Sequence, residues 1–298
     1  MRTLAFEIIA LFIFSDEADQ LDLPYLSELS KLCADGMFTP ITINLPFLPF
    51  GKALKARKDF MNYLRPFVQK RRESGQHKAD VLGTLLAARD SEGNGLSDET
   101  IVEEIHLLLF AGHDTTVTSN TNILLHLAQN PHALQCARDE QNALAPDDRV
   151  FNLDTLKKMP YLDAVIHESM RLIPPIAGMF RITIQDVEFN GYRIPKGTVI
   201  LLNPARTHRD ETVWKNVEDY NPDRWLSGEK QPPFSHIPFG GGPRLCLGQN
   251  FAMVEMKLIL SLLLRGYRWE LVPHQDLTYR SLPFPLPKSG VTVQFSRL

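Results

Sequence analysis

From Ser97 to Gln129 the sequence reads as one long helix. Ser97 is suited to be its N-cap, since a short hydroxyl side chain takes up an orphan amide of the first turn, and Asp98 and Glu99 follow where negative charge is favoured. Asn130-Pro131 stops it, because a residue that precedes proline is pushed out of the helical region. The run is on the order of 30 residues, or about 45 Å at 1.5 Å each. Few globular helices are this long. A chain that contains one has to build its other elements around it, so the helix is expected to cross the whole domain.

The rest of the chain supplies those elements. Residues 24–34, 51–73 and 79–89 are predicted as helices, with a proline-rich break at Leu45–Phe50. Two more helices are expected over 131–144 and 160–172, the second closed by Pro174-Pro175. The texture then changes. "FRIT", "VEFNGYRIP" and "GTVILL" read as short strands, and Asn190-Gly191 is a hairpin-turn signal. Residues 247–265 form a last helix, and "YRWELV" and "GVTVQF" close the chain as strands. The predicted fold class is mainly α, with small antiparallel β-sheets late in the chain. The apolar N-terminal stretch is read as a core helix. Glu7 interrupts it, no small-residue cleavage pattern follows, and it is too short to span a bilayer, so a cytoplasmic protein is expected.

With 298 residues, 44% of them hydrophobic, the chain can bury a large core. A net charge of −3 gives no sign of a nucleic-acid surface. Three scattered cysteines, Cys33, Cys136 and Cys246, make no disulfide framework and fit a reducing compartment.

Three short stretches are candidates for chemistry. "FGGGPRLCLGQN", Phe239–Asn250, sets Cys246 between a glycine-rich loop and a helix start, where free amides favour a thiolate. Gly240, Gly241 and Gly242 allow a tight fold that turns amides toward the sulfur. Gly248 leaves room for a flat ligand, Arg244 can clamp a carboxylate, and Phe239 can shield the sulfur. A small buried thiol after a flexible loop is the alternative. "AGHDTT", Ala111–Thr116, lies mid-way along the long helix. Gly112, Thr115, Thr116 and Ser119 share a face by the i, i+3, i+4, i+7 rule, which offers a notch lined by hydroxyls with Asp114 beside it. A kink with satisfied threonines is the alternative. "HESMR" puts Glu168 and Arg171 at i, i+3. This is not the zinc pattern HExxH, since arginine is no zinc ligand. It is either a surface ion pair or, with Arg224 of "NPDRW", a buried cluster.

Taken together, these stretches resemble the cytochrome P-450 family of haem-thiolate monooxygenases. Phe239, Gly242, Arg244, Cys246 and Gly248 fill every specified position of its FxxGxRxCxG signature, a chance match on the order of one in ten thousand for a chain of this length. Ala111–Thr116 match [AG]Gx[DE]T[TS], Glu168 and Arg171 match ExxR, and Arg224 fits the following proline–acid–arginine element. The resemblance implies haem b with Cys246 as axial thiolate ligand, which pushes electron density onto iron. It implies Thr115 and Asp114 as proton-delivering residues beside a groove at Ala111 and Gly112. Arg244 and Arg181 are implied as propionate partners, and Glu168, Arg171 and Arg224 as structural residues. The implied reaction inserts one atom of dioxygen into a C–H bond of an apolar small molecule. The chain has no flavin or iron–sulfur pattern, so electrons are expected from a separate donor, a ferredoxin with its reductase or a flavoprotein reductase.

"FGKALKAR", "LLLFAGHDT" and "PFSHIPFGGGPRLCLG" are similar to the branch that contains retinoic-acid hydroxylases and their bacterial relatives. A retinoid or similar long apolar acid is the implied substrate, with Phe110, Ala111, Ala177, Gly178, Met179 and the turn around Phe284 as candidate lining. The resemblance begins at what looks like the family's fifth helix, so residues 1–298 are expected to be a single haem-thiolate catalytic domain of an N-terminally truncated P-450 fold, lacking the family's N-terminal third. Two alternatives are a non-catalytic remnant with weak haem binding and a haem-thiolate isomerase or dehydratase.

Overall fold

The computed structural model describes residues 1–37, 39–144, 152–280 and 284–298. They fall into two compact units, Met1–Val117 and Thr118–Leu298, with the boundary inside the long helix.

The first unit is helical throughout. Its elements are α1 (Arg2–Phe14), α2 (Leu23–Met37), α3 (Pro49–Ser74), α4 (Val81–Ala87) and the first part of α5 (Asp98–Gln129). α1 buries Ala5, Phe6, Ile9, Ala10, Ile13 and Phe14, which makes it the core helix that its composition predicts. No helix among the described residues is long and apolar enough to cross a membrane. Asp80 caps α4 by accepting from the Gly83 amide at 2.7 Å, and Gly75 ends α3 at a φ of 63°, the left-handed conformation that costs glycine least. α4 is shorter than the predicted 79–89, because its cap stands at residue 80. Arg71 is wholly buried. Its guanidinium bonds both Glu17 oxygens at 2.9 and 3.0 Å, Asp80 at 3.1 Å and the Phe14 carbonyl at 3.3 Å. Two carboxylates and a carbonyl around a buried guanidinium meet the condition under which a charge is tolerated inside a protein.

The second unit contains the rest of α5, then α6 (Pro131–Leu144), α7 (Leu153–Leu156), α8 (Pro160–Leu172), α9 (Pro204–Thr207) and α10 (Gln249–Gly266). Its core is built from Ile123 and Leu127 of α5, Leu162, Val165, Ile166 and Met170 of α8, and Met256, Leu260 and Leu264 of α10, with Trp269 closing one end. The i, i+3/i+4 spacing within each set is what turns a helix face inward.

Among the described residues there are four antiparallel two-stranded sheets, the strands of two lying between α8 and α9 and those of the other two after α10. β1 (Met179–Ile182) pairs with β4 (Val199–Leu202), and β2 (Val187–Phe189) with β3 (Tyr192–Ile194). β5 (Tyr267–Leu271) pairs with β8 (Val293–Arg297), and β6 (Tyr279–Arg280) with β7 (Leu286–Pro287). The β2–β3 turn is the expected Asn190-Gly191, both at positive φ (50° and 79°), as a type I′ turn requires. The β6–β7 pair is tied to α5 at its described ends. Asn122 donates to the Pro285 carbonyl at 3.0 Å and accepts from the Tyr279 hydroxyl at 2.9 Å. The architecture is therefore mainly helical with small antiparallel sheets, as the sequence predicts.

Candidate functional site

A buried polar assembly in the second unit is centred on Glu168. α8 carries Glu168 and Arg171 one turn apart on its buried side, and both side chains are fully buried. Arg171 Nε and Nη2 donate to the two Glu168 oxygens, each at 2.9 Å, in a two-point fork. Glu168 also accepts from Arg224 Nε at 3.0 Å, Trp225 Nε1 at 2.9 Å and the Asn221 amide at 2.9 Å. Arg171 in turn bonds the carbonyls of His208, Val217 and Asp219 at 3.1, 2.7 and 3.1 Å. The structure brings Glu168, Arg171 and Arg224 together as one buried cluster, not a surface pair. It pins the segment 208–225 against α8. Trp225 was not singled out in the sequence, although it directly follows Arg224.

The cysteine loop lies downstream in the same unit. Cys246 stands two residues before Gly248, the N-cap of α10, and its side chain is exposed. That excludes the buried-thiol alternative. The loop is held through its backbone. The Cys246 amide donates to the Phe239 carbonyl at 2.9 Å and the Leu245 amide to Gly242 at 3.1 Å. Gly240 and Gly242 sit at φ of 78° and 66°, so these two positions need glycine for conformation. Phe239 contributes its carbonyl to the loop and packs its half-buried ring on the unit's core. A Cβ added to Gly248 would meet only the Cys246 sulfur, at 4.0 Å. The space over the loop is thus open, and Leu245 (52% exposed) and Leu247 (91% exposed) border it. Arg244 is exposed, and Arg181, half-buried on β1, donates to the Phe180 carbonyl at 2.8 Å.

In the first unit, α5 presents Leu107, Ala111 and Thr115 along its open side. Thr115 Oγ1 donates to the Ala111 carbonyl at 2.7 Å, one turn back. Here the structure corrects the sequence reading. Gly112, Thr115, Thr116 and Ser119 do not form one ligand-facing side, because Thr116 and Ser119 are buried (4% and 5% exposed). Gly112 faces α1: a Cβ there would lie 3.0 Å from Ile9 Cδ1. Its missing side chain serves helix packing, while Ala111 and Thr115 hold the open side. Asp114 is buried and ion-paired with Arg2 at 2.6 Å. The neighbouring His113 bonds the Arg2 carbonyl through Nε2 at 3.1 Å, and burial lowers its pKa. The Arg2 contact spans more than a hundred residues and has no local sequence signal.

Of the candidate lining, Phe110, Ala177 and Met179 are half-buried and Phe284 is buried. Gly178 abuts Leu201, whose Cδ1 would lie 2.6 Å from an added Cβ. Leu282 and Pro283, part of the same predicted turn, lie outside the described residues.

The donor set fits a haem. An exposed sulfur is a soft ligand, it stands near a helix N-terminus, and apolar leucines and an uncrowded glycine leave room for a flat macrocycle. A family model of cytochrome P450 matches residues 1–295. The chain belongs to the cytochrome P450 family. Members of this family similar to the chain are named as hydroxylases and monooxygenases. This P450 is 37% identical over 301 residues to cytochrome P450 120 of Synechocystis sp., with all of this chain and 67% of that protein covered. It is 32% identical over 299 residues to abscisic acid 8'-hydroxylase 2 of Arabidopsis thaliana, covering 99% of this chain and 61% of that one. A solved structure described as retinoic acid bound cyanobacterial CYP120A1 matches with a TM-score of 0.94 and 36% identity, over all of this chain and 68% of the other. The P450 chain described here thus spans about two thirds of the length of these relatives.

Proposed function

We propose that this P450 is a haem-dependent monooxygenase acting on a long apolar substrate, with a retinoid-like acid as the first candidate. The observation that carries the reading is the exposed Cys246 thiol in a complete signature loop, in the same unit as the buried Glu168–Arg171–Arg224 cluster. Bound haem b would supply the oxygen-activating chemistry, in which one atom of dioxygen enters a C–H bond and a separate protein, a ferredoxin with its reductase or a flavoprotein reductase, supplies two electrons.

The chain's own residues have distinct parts in this. Cys246 would hold the iron, with Phe239, Gly242 and Gly248 shaping the loop around it. Arg244 and Arg181 would meet the propionates, as guanidinium groups match carboxylates by geometry as well as charge. Leu107 and Ala111 give the open side of α5 an apolar surface, which favours an apolar substrate and excludes water from it. Thr115 would be the residue that moves a proton. A hydroxyl carries one donor and two acceptor lone pairs, so Thr115 Oγ1 can accept a hydrogen bond while it donates to Ala111. Asp114 would join a proton route only on release from Arg2, so the first role falls to Thr115. α5 runs unbroken through both units, which supports reading residues 1–298 as one haem-thiolate catalytic domain.

The test is turnover of all-trans retinoic acid by the holoprotein with reduced ferredoxin and its reductase, under isotopically labelled dioxygen. One labelled oxygen atom per product molecule is expected. Haem-loaded protein that binds the acid but yields an isomerised or dehydrated product without label would replace this reading by the isomerase one. In the same assay Thr115→Ala is expected to retain haem and consume reductant, while product per electron falls roughly tenfold or more, the scale of losing a positioned proton donor. Peroxide should rise to account for the lost electrons. Unchanged coupling would remove Thr115 from the proton route.

A further inference from the structure

The cluster on α8 and the cysteine loop are joined by a side chain that the P450 reading has not used. His208 follows α9, is fully buried, and is bonded at both ring nitrogens. The Ile237 amide donates to its Nε2 at 2.8 Å. An amide can only donate, so Nε2 carries no proton, and the neutral ring must bear its proton on Nδ1. Nδ1 lies 3.2 Å from the Arg171 carbonyl, to which it donates. Arg171 returns a bond, from Nη1 to the His208 carbonyl at 3.1 Å.

The two ends of this bridge differ in what they hold. Arg171 is fixed by Glu168 in the last turn of α8. Ile237 lies on the segment that enters the cysteine loop. Its own carbonyl accepts from the Gly240 amide at 3.0 Å, and Phe239, two residues on, takes the Cys246 amide at 2.9 Å. The path therefore runs from the Glu168–Arg171 fork through the Arg171 carbonyl, the His208 ring and the Ile237 amide to the turn that carries Cys246. His208 is too deeply buried for water to replace either bond at no cost.

We propose that His208, in its Nδ1-protonated neutral form, is a positioning residue that latches the cysteine loop to the Glu168–Arg171 cluster and so sets the place of the Cys246 sulfur. The inference rests on the reading of Cys246 as the haem ligand. Burial pushes the His208 pKa down to about 4, which keeps the ring neutral at physiological pH. Of the groups facing it, the backbone carbonyls of Arg171 and Met170 oppose this shift and the Arg171 and Arg209 guanidinium groups add to it, while the neighbouring His236 ring, 5.0 Å away between centroids, is itself held neutral by burial.

Two conservative substitutions separate the halves of the latch. The amide of His208→Gln reaches the place of Nε2 and can accept from Ile237. That of His208→Asn reaches only the place of Nδ1 and can donate only to Arg171. The readout is the reduced CO complex of the holoprotein, where a red-shifted Soret band reports thiolate ligation and a blue-shifted one its loss. The Gln variant is expected to keep the wild-type band. In the Asn variant the ratio of thiolate-ligated to other forms should fall about tenfold, the scale of one lost buried hydrogen bond. Equal behaviour of the two variants, whether both keep the band or both lose it, would overturn the proposal. A second measurement does not depend on haem: hydrogen exchange at the Ile237 amide, slow in the wild type, should stay slow in the Gln variant and quicken in His208→Leu. Exchange of this amide at an exposed rate in the wild type would overturn the latch even if every variant folds. A wild-type holoprotein without the thiolate band would instead refute the assignment of Cys246, and the exchange measurement would still decide whether the latch exists.

Discussion

Cys246→Ala and Cys246→Ser are expected to abolish the red-shifted Soret band of the reduced CO complex completely. A thiolate is a soft, electron-rich donor, whereas an alanine methyl offers no ligand and a serine hydroxyl stays protonated near neutral pH. The loss should be specific to ligation. The loop is held by backbone bonds from Cys246 to Phe239 and from Leu245 to Gly242 and by the positive φ of Gly240 and Gly242. None of these uses the sulfur. Since the side chain is exposed, folding stability should change by no more than about 0.5 kcal/mol. Cys33 provides the control. It is buried, and burial pushes its thiol pKa up to about 11, so it is unsuited to be a thiolate at physiological pH, and Cys33→Ala should retain the band. A Cys246→Ala protein that still shows the band would place the iron ligand elsewhere.

Glu168→Ala should cost far more stability than any surface ion pair. Glu168 accepts five hydrogen bonds, from Arg171 Nε and Nη2, Arg224, Trp225 and the Asn221 amide. Removing it leaves the fully buried Arg171 guanidinium without its counter-charge, and breaking such a pair costs about 3–5 kcal/mol. A whole domain is stable by only about 5–15 kcal/mol. A large fall in the urea midpoint and in the yield of folded holoprotein is therefore expected. Glu168→Gln keeps the shape and one acceptor and should fall between wild type and alanine. An exposed pair is worth about 0–1 kcal/mol, so a midpoint shift within that range would show that the carbonyls of His208, Val217 and Asp219 already satisfy Arg171 without Glu168.

The sequence reading and the structure agree most closely where the chemistry is local. The cysteine loop is ten contiguous residues, and its glycine, arginine and cysteine spacing is itself the geometry. The Glu168–Arg171 fork is one helical turn, and the β2–β3 hairpin is two residues with positive φ. In each case the backbone links the partners directly, and the amino-acid types fix the conformation. The helix over Asp98–Gln129 was readable for the same reason: its cap, first turn and terminating proline are all short-range signals.

What the sequence alone determined is therefore the family, the thiolate candidate and the succession of helices and short strands. Only the tertiary structure decided which side of each helix meets which neighbour. Helical periodicity groups residues by angle but does not say what lies opposite. For α5 the neighbour is α1, and Ile9 claims the notch at Gly112, which leaves Ala111 and Thr115 on the open side. Arg2 reaches Asp114 for the same reason. Arg224, Trp225 and His208 join α8 across some forty to sixty residues of chain. A buried ion cluster of this kind forms only when several segments bring their polar groups together at once, because each group buried singly would lose its water without compensation. That requirement belongs to the folded chain as a whole, and no local pattern encodes it.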